Sequence, residues 1–186
     1  MAAEKTPVAV IGGIAINANG VARFTGDIDA TIPGADLDLR ALVRTLKAHA
    51  IVPRMPKAIE FARENQVLLL KHVATGIELD LSLAWIPFEL EAIERAKSMP
   101  FGTTRIRAAR PEDLVIYKLI ASRPRDLPDV ESLLLLHRER IDLSRVRRVL
   151  RQLAEHLDGK NRLTVLNELV ATLPVVARAR RRSRGP

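Results

Sequence analysis

Apolar residues fall in short blocks along the first part of the chain and in helical stripes along the last third. Residues 7–11, PVAVI, form a short apolar run that reads as a buried strand. Gly12-Gly13 breaks it, and residues 14–18 begin a helix that ends at Gly20. From Asp27 to Ile32 polar and apolar residues alternate with period two, as on a half-buried strand, and Pro33-Gly34 closes it. Asp36 or Asp38 then caps a helix running to about Ala50, with Leu37, Leu39, Leu42, Val43 and Leu46 on its apolar stripe. Residues 51–65 fit no single period. Residues 67–73 and 77–83 read as strands joined by Ala74-Thr75-Gly76, a hairpin. Pro87 marks a helix start, with residues 88–96 as its body, and residues 103–108 read as an edge strand. From Pro111-Glu112-Asp113 to Val170 the pattern is helical, with breaks near Pro124, at residues 141–143 and at Asp158-Gly159.

This pattern predicts an α+β fold, a mixed β-sheet flanked by helices with a helical C-terminal part. The expected divisions are an αβ core over residues 1–110, helices over 111–175 and a basic, disordered tail over 176–186. No internal repeat is present.

Composition narrows the chemistry. With 186 residues, 47% hydrophobic and 28% charged, the chain matches an ordinary globular protein able to bury a sizeable core. It has no cysteine, which excludes disulfides, thiolate metal sites and cysteine nucleophiles. No apolar run approaches the roughly 20 residues of a membrane span, and the apolar run after the N-terminus is too short for a secretory segment. These features predict a cytoplasmic protein with no membrane partner. A net charge of +8 favours polyanionic partners, or equally reflects an arginine-rich composition. Aromatic residues are only 3%, which argues against a base-stacking surface.

The sharpest chemical signal is Asp27-Ile28-Asp29. On a strand, residues i and i+2 share a face, so two carboxylates stand side by side and repel unless a cation joins them. Hard divalent ions such as Mg²⁺ take carboxylate oxygens together with substrate phosphates. A solvated strand face is the competing reading, and Asp36 and Asp38 show the same spacing with a capping role. Context adds weight. Gly12-Gly13 upstream permits close backbone approach to phosphate at a helix start. Downstream, Glu78, Asp80 and Ser82 alternate onto one face of the next strand pair, so either Glu78 or Asp80 can bring a third carboxylate. Three carboxylates near a phosphate-binding turn suit two-metal phosphoryl chemistry.

Gly12-Gly13, Gly20, Arg23, Thr25 and Asp27-x-Asp29 together resemble the signature of polymerase-beta-like nucleotidyltransferases. The nearer resemblance is to the AbiEii-type branch, which supplies toxins of abortive-infection and toxin–antitoxin systems. It extends through Gly76-Ile77-Glu78-Leu79-Asp80-Leu81, Trp85-x-Pro87-Phe88-Glu89 and the segment from Glu112 to Asp129, covering about residues 8–135. The resemblance implies transfer of a nucleoside monophosphate from an NTP to a hydroxyl of tRNA, other RNA or protein, with two Mg²⁺ ions and a cognate antitoxin as partner. It implies metal binding by Asp27, Asp29 and Asp80, with Asp80 also activating the acceptor hydroxyl. Nucleotide binding falls to Gly12, Gly13, Arg23, Thr25 and Lys118, and Lys118 and Asp126 join Asp80 in catalysis. The chain departs from the superfamily in one place: Gly12-Gly13 replaces a Gly-Ser pair, leaving backbone amides alone to hold the triphosphate. A catalytically inactive nucleotide- or RNA-binding module is the alternative reading.

The remaining charged groups read more plainly. Asp129 is expected to start or cap a helix, and Asp126 to do so or to orient Lys118 or Arg123. Arg138, Arg140, Arg145, Arg147, Arg148 and Arg151 form either a solvated helix face or a phosphate-tracking surface for RNA. His49, His72, His137 and His156 have no ligand spacing.

Overall fold

The computed structural model describes residues 6–121, 123–154 and 160–174, and fifteen helices and strands follow one another along them. In chain order they are β1 (Ala9–Ile11), α1 (Gly12–Ala18), β2 (Asp27–Pro33), α2 (Leu39–Lys47), β3 (Ile51–Pro53), α3 (Ala58–Asn65), β4 (Val67–His72) and β5 (Glu78–Ala84). There follow α4 (Pro87–Arg95), β6 (Lys97–Phe101), β7 (Thr104–Ala108), α5 (Pro111–Ala121), α6 (Leu127–Leu136), α7 (Leu143–Ala154) and α8 (Lys160–Thr172). A 3-10 turn, Pro124–Asp126, links α5 to α6. The break expected at Asp158-Gly159 and the basic tail lie outside the described residues.

All seven strands join one mixed sheet in the order β3-β4-β5-β2-β1-β7-β6. The β4–β5 hairpin is antiparallel, as the apolar blocks around Gly76 predict. β2 runs parallel to β5 and antiparallel to β1. The register places Asp27 opposite Glu78, Asp29 opposite Asp80 and Ala30 opposite Leu81.

Alternation in β2 and β5 sends the two residue sets to opposite faces. Ala30, Ile32, Leu81 and Leu83 pack with Leu39 and Val43 of α2 and Ala58 and Ala62 of α3. Asp27, Asp29 and Asp80 therefore face the other side, where α5 lies. There Ala15 and Ile16 of α1, Phe88 of α4, and Leu114, Val115 and Ile116 of α5 share a core with α6, α7 and α8.

Local signals account for several boundaries. Asp38 caps α2, its Oδ1 accepting from the backbone amides of Arg40 (2.9 Å) and Ala41 (3.0 Å). Pro87 opens α4, where Glu89 reaches back to accept from the Trp85 amide at 3.1 Å.

Two expectations are corrected, and one open segment is filled in. The strand over residues 104–108 is interior, not an edge: it pairs with β1 on one side and β6 on the other. β6 carries Pro100 and no clear alternation, so the true edge left no periodic signal. The Gly12-Gly13 pair does not separate strand from helix but forms the first turn of α1. Residues 51–65 hold a three-residue strand and a short helix, too brief for either period to dominate.

Candidate active site

A cavity of about 280 Å³ opens on the acidic face of β2 and β5, lined by Gly13, Arg23, Thr25, Asp27, Asp29, Asp80, Lys118, Arg123 and Arg125 among others. One wall is anionic and the other cationic. Asp80 rather than Glu78 is the β5 carboxylate that lines it. Of the residues to which the resemblance gives a site role, Gly12 and Asp126 are outside this lining; Gly12 packs against Asp29 and Asp126 holds Lys118.

The anionic wall is built by the sheet. Asp29 and Asp80 are register neighbours, and Asp27 stands two residues before Asp29 on the same face. Burial, then the charges of Asp27 and Asp80, push the Asp29 carboxyl above its ordinary range, against the opposing pull of Lys118 and Arg123. Asp80 is also raised, first by burial and then by Asp27 and Glu78, while Arg54 pulls it down. Thr25 steadies Asp27, its hydroxyl donating to Asp27 Oδ1 at 2.8 Å.

The glycines at the head of α1 are packed against this wall. Gly12 has φ of +61°, and a Cβ there would overlap the Asp29 carboxylate. At Gly13 a Cβ would meet the Thr25 Cβ and Oγ1 at 2.7 Å. The space beside Gly13 is thus already taken by the Thr25 hydroxyl.

The cationic wall comes from α5, the turn after it and the loop before β2. Lys118, only 7% exposed, bonds to Asp126 at 2.7 Å and pairs with Asp129 at 2.9 Å. Arg123 Nε donates to Asp126 at 2.6 Å, and Arg23 pairs with Asp129 at 2.9 Å. Burial pushes Asp126 up, but the hydrogen bonds from Arg123 and Lys118 outweigh it and hold the carboxyl below its usual range. Among the described residues, the ion pairs of Arg23, Lys118 and Arg123 are with Asp126 and Asp129, so three cations meet two carboxylates and this wall keeps one excess positive charge before Arg125 is added. The loop carrying Arg23 is anchored, since Asn17 bonds both its N–H (2.7 Å) and its C=O (2.8 Å).

Asp129 stands in the first turn of α6, but its carboxylate goes to Arg23 and Lys118 rather than capping backbone amides. Arg145 is removed from the arginine face by the structure: it is buried and holds Asp113 at 2.8 Å and Glu91 at 2.5 Å. Only a buried carboxylate partner far along the chain explains that placement, and α7's local pattern does not announce it.

The structure also adds residues. Arg54, just after β3, binds both Glu78 and Asp80. Phe24, 93% exposed, stands at the cavity mouth. Neither carries a local signal beyond its residue type, since each is defined by what lies across the sheet or the loop.

An ion would find oxygen donors alone here, which suits a hard cation completing its shell with phosphate oxygens. Asp27 and Asp29 crowd one another with mutual repulsion that a divalent cation relieves. Among the described residues, however, no three Asp, Glu, His or Cys side chains converge closely enough to hold an ion by themselves. The residues fit a hard cation whose shell a substrate completes.

The seven-stranded mixed sheet flanked by helices is a nucleotidyltransferase fold. Two solved structures share it. The antibiotic-resistance factor ANT(2'')-Ia in solution superposes with a TM-score of 0.54 at 21% identity, covering 89% of this chain and 88% of that one. Crystalline ANT(2'')-Ia in complex with adenylyl-2''-tobramycin gives 0.51 at 15% identity over the same shares. No curated protein matches the chain. Residues 2–173 match the family described as nucleotidyltransferase of unknown function (DUF6036), and the chain belongs to that family. Among the described residues, no helix is long and apolar enough to cross a membrane.

Proposed function

We propose that this protein transfers a nucleoside monophosphate from an NTP to an acceptor hydroxyl. The observation that carries the reading is the cavity between Asp27, Asp29 and Asp80 on one side and Arg23, Lys118, Arg123 and Arg125 on the other. It sets carboxylates that suit a cation against cations that suit a triphosphate.

Asp27 and Asp29, with Asp80 beside them, would hold Mg²⁺, which supplies charge neutralisation at the phosphates when bound. The backbone amides of Gly12 and Gly13 and the guanidinium of Arg23 orient the triphosphate. The Thr25 hydroxyl keeps Asp27 turned toward the cavity. Asp80 accepts the proton of the acceptor hydroxyl as its oxygen attacks the α-phosphorus in line. The bond from that phosphorus to the bridging oxygen breaks, and pyrophosphate leaves toward the cationic wall. Lys118, braced by Asp126 and Asp129, contributes to that wall as a fixed charge rather than as a mobile hand. No covalent enzyme intermediate is needed.

The acceptor has two supported forms. The motif resemblance to AbiEii-type toxins supports tRNA, another RNA or a protein hydroxyl, a cognate antitoxin partner and a cytoplasmic setting. The likeness to ANT(2'')-Ia, seen with adenylylated tobramycin, supports a small polyhydroxylated acceptor such as an aminoglycoside. We treat residues 1–110 as the core that carries the site and 111–175 as the helical part that closes it.

Incubation with each α-³²P-labelled NTP, Mg²⁺ and, in parallel, total RNA, protein extract or aminoglycosides tests the reading. Label in one acceptor class with wild type, absent with Asp27→Asn/Asp29→Asn, supports it and names the acceptor. NTP binding without label in any arm favours the inactive binding module.

A further inference from the structure

Arg54 stands in one row with the acidic centre. The Arg54 amide donates to Leu69 C=O at 3.0 Å, extending the β3–β4 ladder by one residue. Leu69 is paired with Asp80, and Asp80 with Asp29. Register partners share a face, so Arg54, Leu69, Asp80 and Asp29 project from the same side of the sheet. Two strand spacings of about 4.8 Å separate Arg54 from Asp80. An extended arginine spans that gap across Leu69. Its two terminal nitrogens end on Glu78 and Asp80.

The position is built and not incidental. The Arg54 side chain is 20% exposed. Its Nε is buried without a hydrogen-bond partner among the described residues, so the two carboxylates alone hold the guanidinium. Three carboxylates, Asp27, Asp29 and Asp80, line this flank of the cavity, and Glu78 stands outside it in register with Asp27. Lys118 and Arg123 act on Asp29 from the far wall, and Arg54 is the cation that acts on Asp80.

We propose that Arg54 is a positioning residue: shared between Glu78 and Asp80, it holds the Asp80 carboxylate in the cavity wall and competes with a divalent cation for it. The inference rests on the transferase reading for its kinetic consequence but not for its metal consequence. Two effects of opposite sign follow from removing Arg54. The acidic cluster gains a net negative charge and draws a divalent ion more strongly. Asp80 loses its brace, and the acceptor hydroxyl loses a well-placed proton acceptor.

The test titrates Mn²⁺ into nucleotide-free protein, following free Mn²⁺ by electron paramagnetic resonance, for wild type, Arg54→Gln and Arg54→Lys. Melting temperatures and circular dichroism accompany each variant. Arg54→Gln is expected to bind Mn²⁺ about fivefold more tightly, the scale of one unit charge a few ångströms away in a wet site. With the acceptor identified by the labelling assay, its kcat falls by about a hundredfold while the KM for NTP stays within about threefold. Arg54→Lys keeps the charge and restores wild-type Mn²⁺ affinity, but its single ammonium cannot hold both carboxylates and kcat stays low. Unchanged or weaker Mn²⁺ binding by Arg54→Gln overturns the proposal, as does a kcat loss that tracks a fall in melting temperature. Should Arg54→Gln not fold, Arg54→Gln/Glu78→Gln serves instead. It leaves the charge of the cluster unchanged and frees Asp80, so Mn²⁺ binding is expected to tighten, and weaker or unchanged binding overturns the idea. A wild type that binds Mn²⁺ yet labels no acceptor defeats the transferase reading only, and the Mn²⁺ comparison still decides the role of Arg54.

Discussion

Gly12 and Asp29 occupy what is in effect a single side-chain site: β1 pairs with β2 so that the Asp29 carboxylate fills the space a Gly12 Cβ would need. The backbone there, at φ +61°, also disfavours any other residue. Gly12→Ala must move Asp29 or twist the chain. It is expected to cost about 1–3 kcal/mol of stability in chemical denaturation and to depress transfer more than Gly20→Ala does.

Gly13 and Thr25 form a second exclusive pair. Restoring the superfamily's serine as Gly13→Ser puts a Cβ 2.7 Å from Thr25 and is expected to lower stability and activity. Combined with Thr25→Ala, the same serine has room. The double-mutant cycle should show a favourable coupling of about 1 kcal/mol or more in denaturation midpoints.

Removing the Asp29 charge should stabilise the protein when no metal is present. Its carboxyl is raised in the fold, so its contribution is favourable below the ordinary carboxylate pKa of about 3.9 and is lost as pH rises through the raised value. Asp29→Asn is therefore expected to melt higher than wild type at pH 7 in EDTA, with the difference vanishing near pH 3. Mg²⁺ should raise the wild-type melting temperature and leave the variant unmoved. Transfer by the variant should fall about a thousandfold, the scale of several kcal/mol of lost transition-state stabilisation.

Asp126 works in the other direction. Its carboxyl is held low by Arg123 and Lys118, so its stabilisation is present above the ordinary carboxylate range and fades as pH falls below it. Asp126→Asn leaves Lys118 buried with Asp129 alone and is expected to cost about 3 kcal/mol at pH 7 in urea titration. The loss should shrink toward pH 3.

Arg145 and Arg148 stand three residues apart on α7 and should behave unlike each other. Arg145→Ala abandons the buried Asp113 carboxylate and is expected to cost about 3–5 kcal/mol. Arg148 is exposed, and Arg148→Ala should stay within about 0.5 kcal/mol. If α7 tracks RNA, only Arg148→Ala lowers RNA affinity in a filter-binding assay while stability holds.

What was legible in the sequence was whatever short-range chemistry dictates. Alternation placed Asp27 and Asp29 on one face of a strand, the apolar blocks around Gly76 made a hairpin, and Asp36 or Asp38 was marked as a helix cap, a role that Asp38 takes. These depend on neighbours within a few residues, where period and cap geometry act. The edge strand β6, the helix in residues 58–65 and the inward turn of Arg145 had no such local signature.

The sequence by itself determined that a carboxylate pair and a glycine turn exist, and the family signature around them. Only the tertiary structure decided that β5 lies parallel to β2, which puts Asp80 beside Asp29 and Glu78 farther out. It alone set Thr25 into the space at Gly13, folded Asp129 back onto Lys118 and Arg23, and carried Arg54 across a strand to Asp80. The physical reason is range. Local pattern chooses which face a residue takes, whereas strand order and register choose its partner, and those are settled by packing the whole sheet against its two cores.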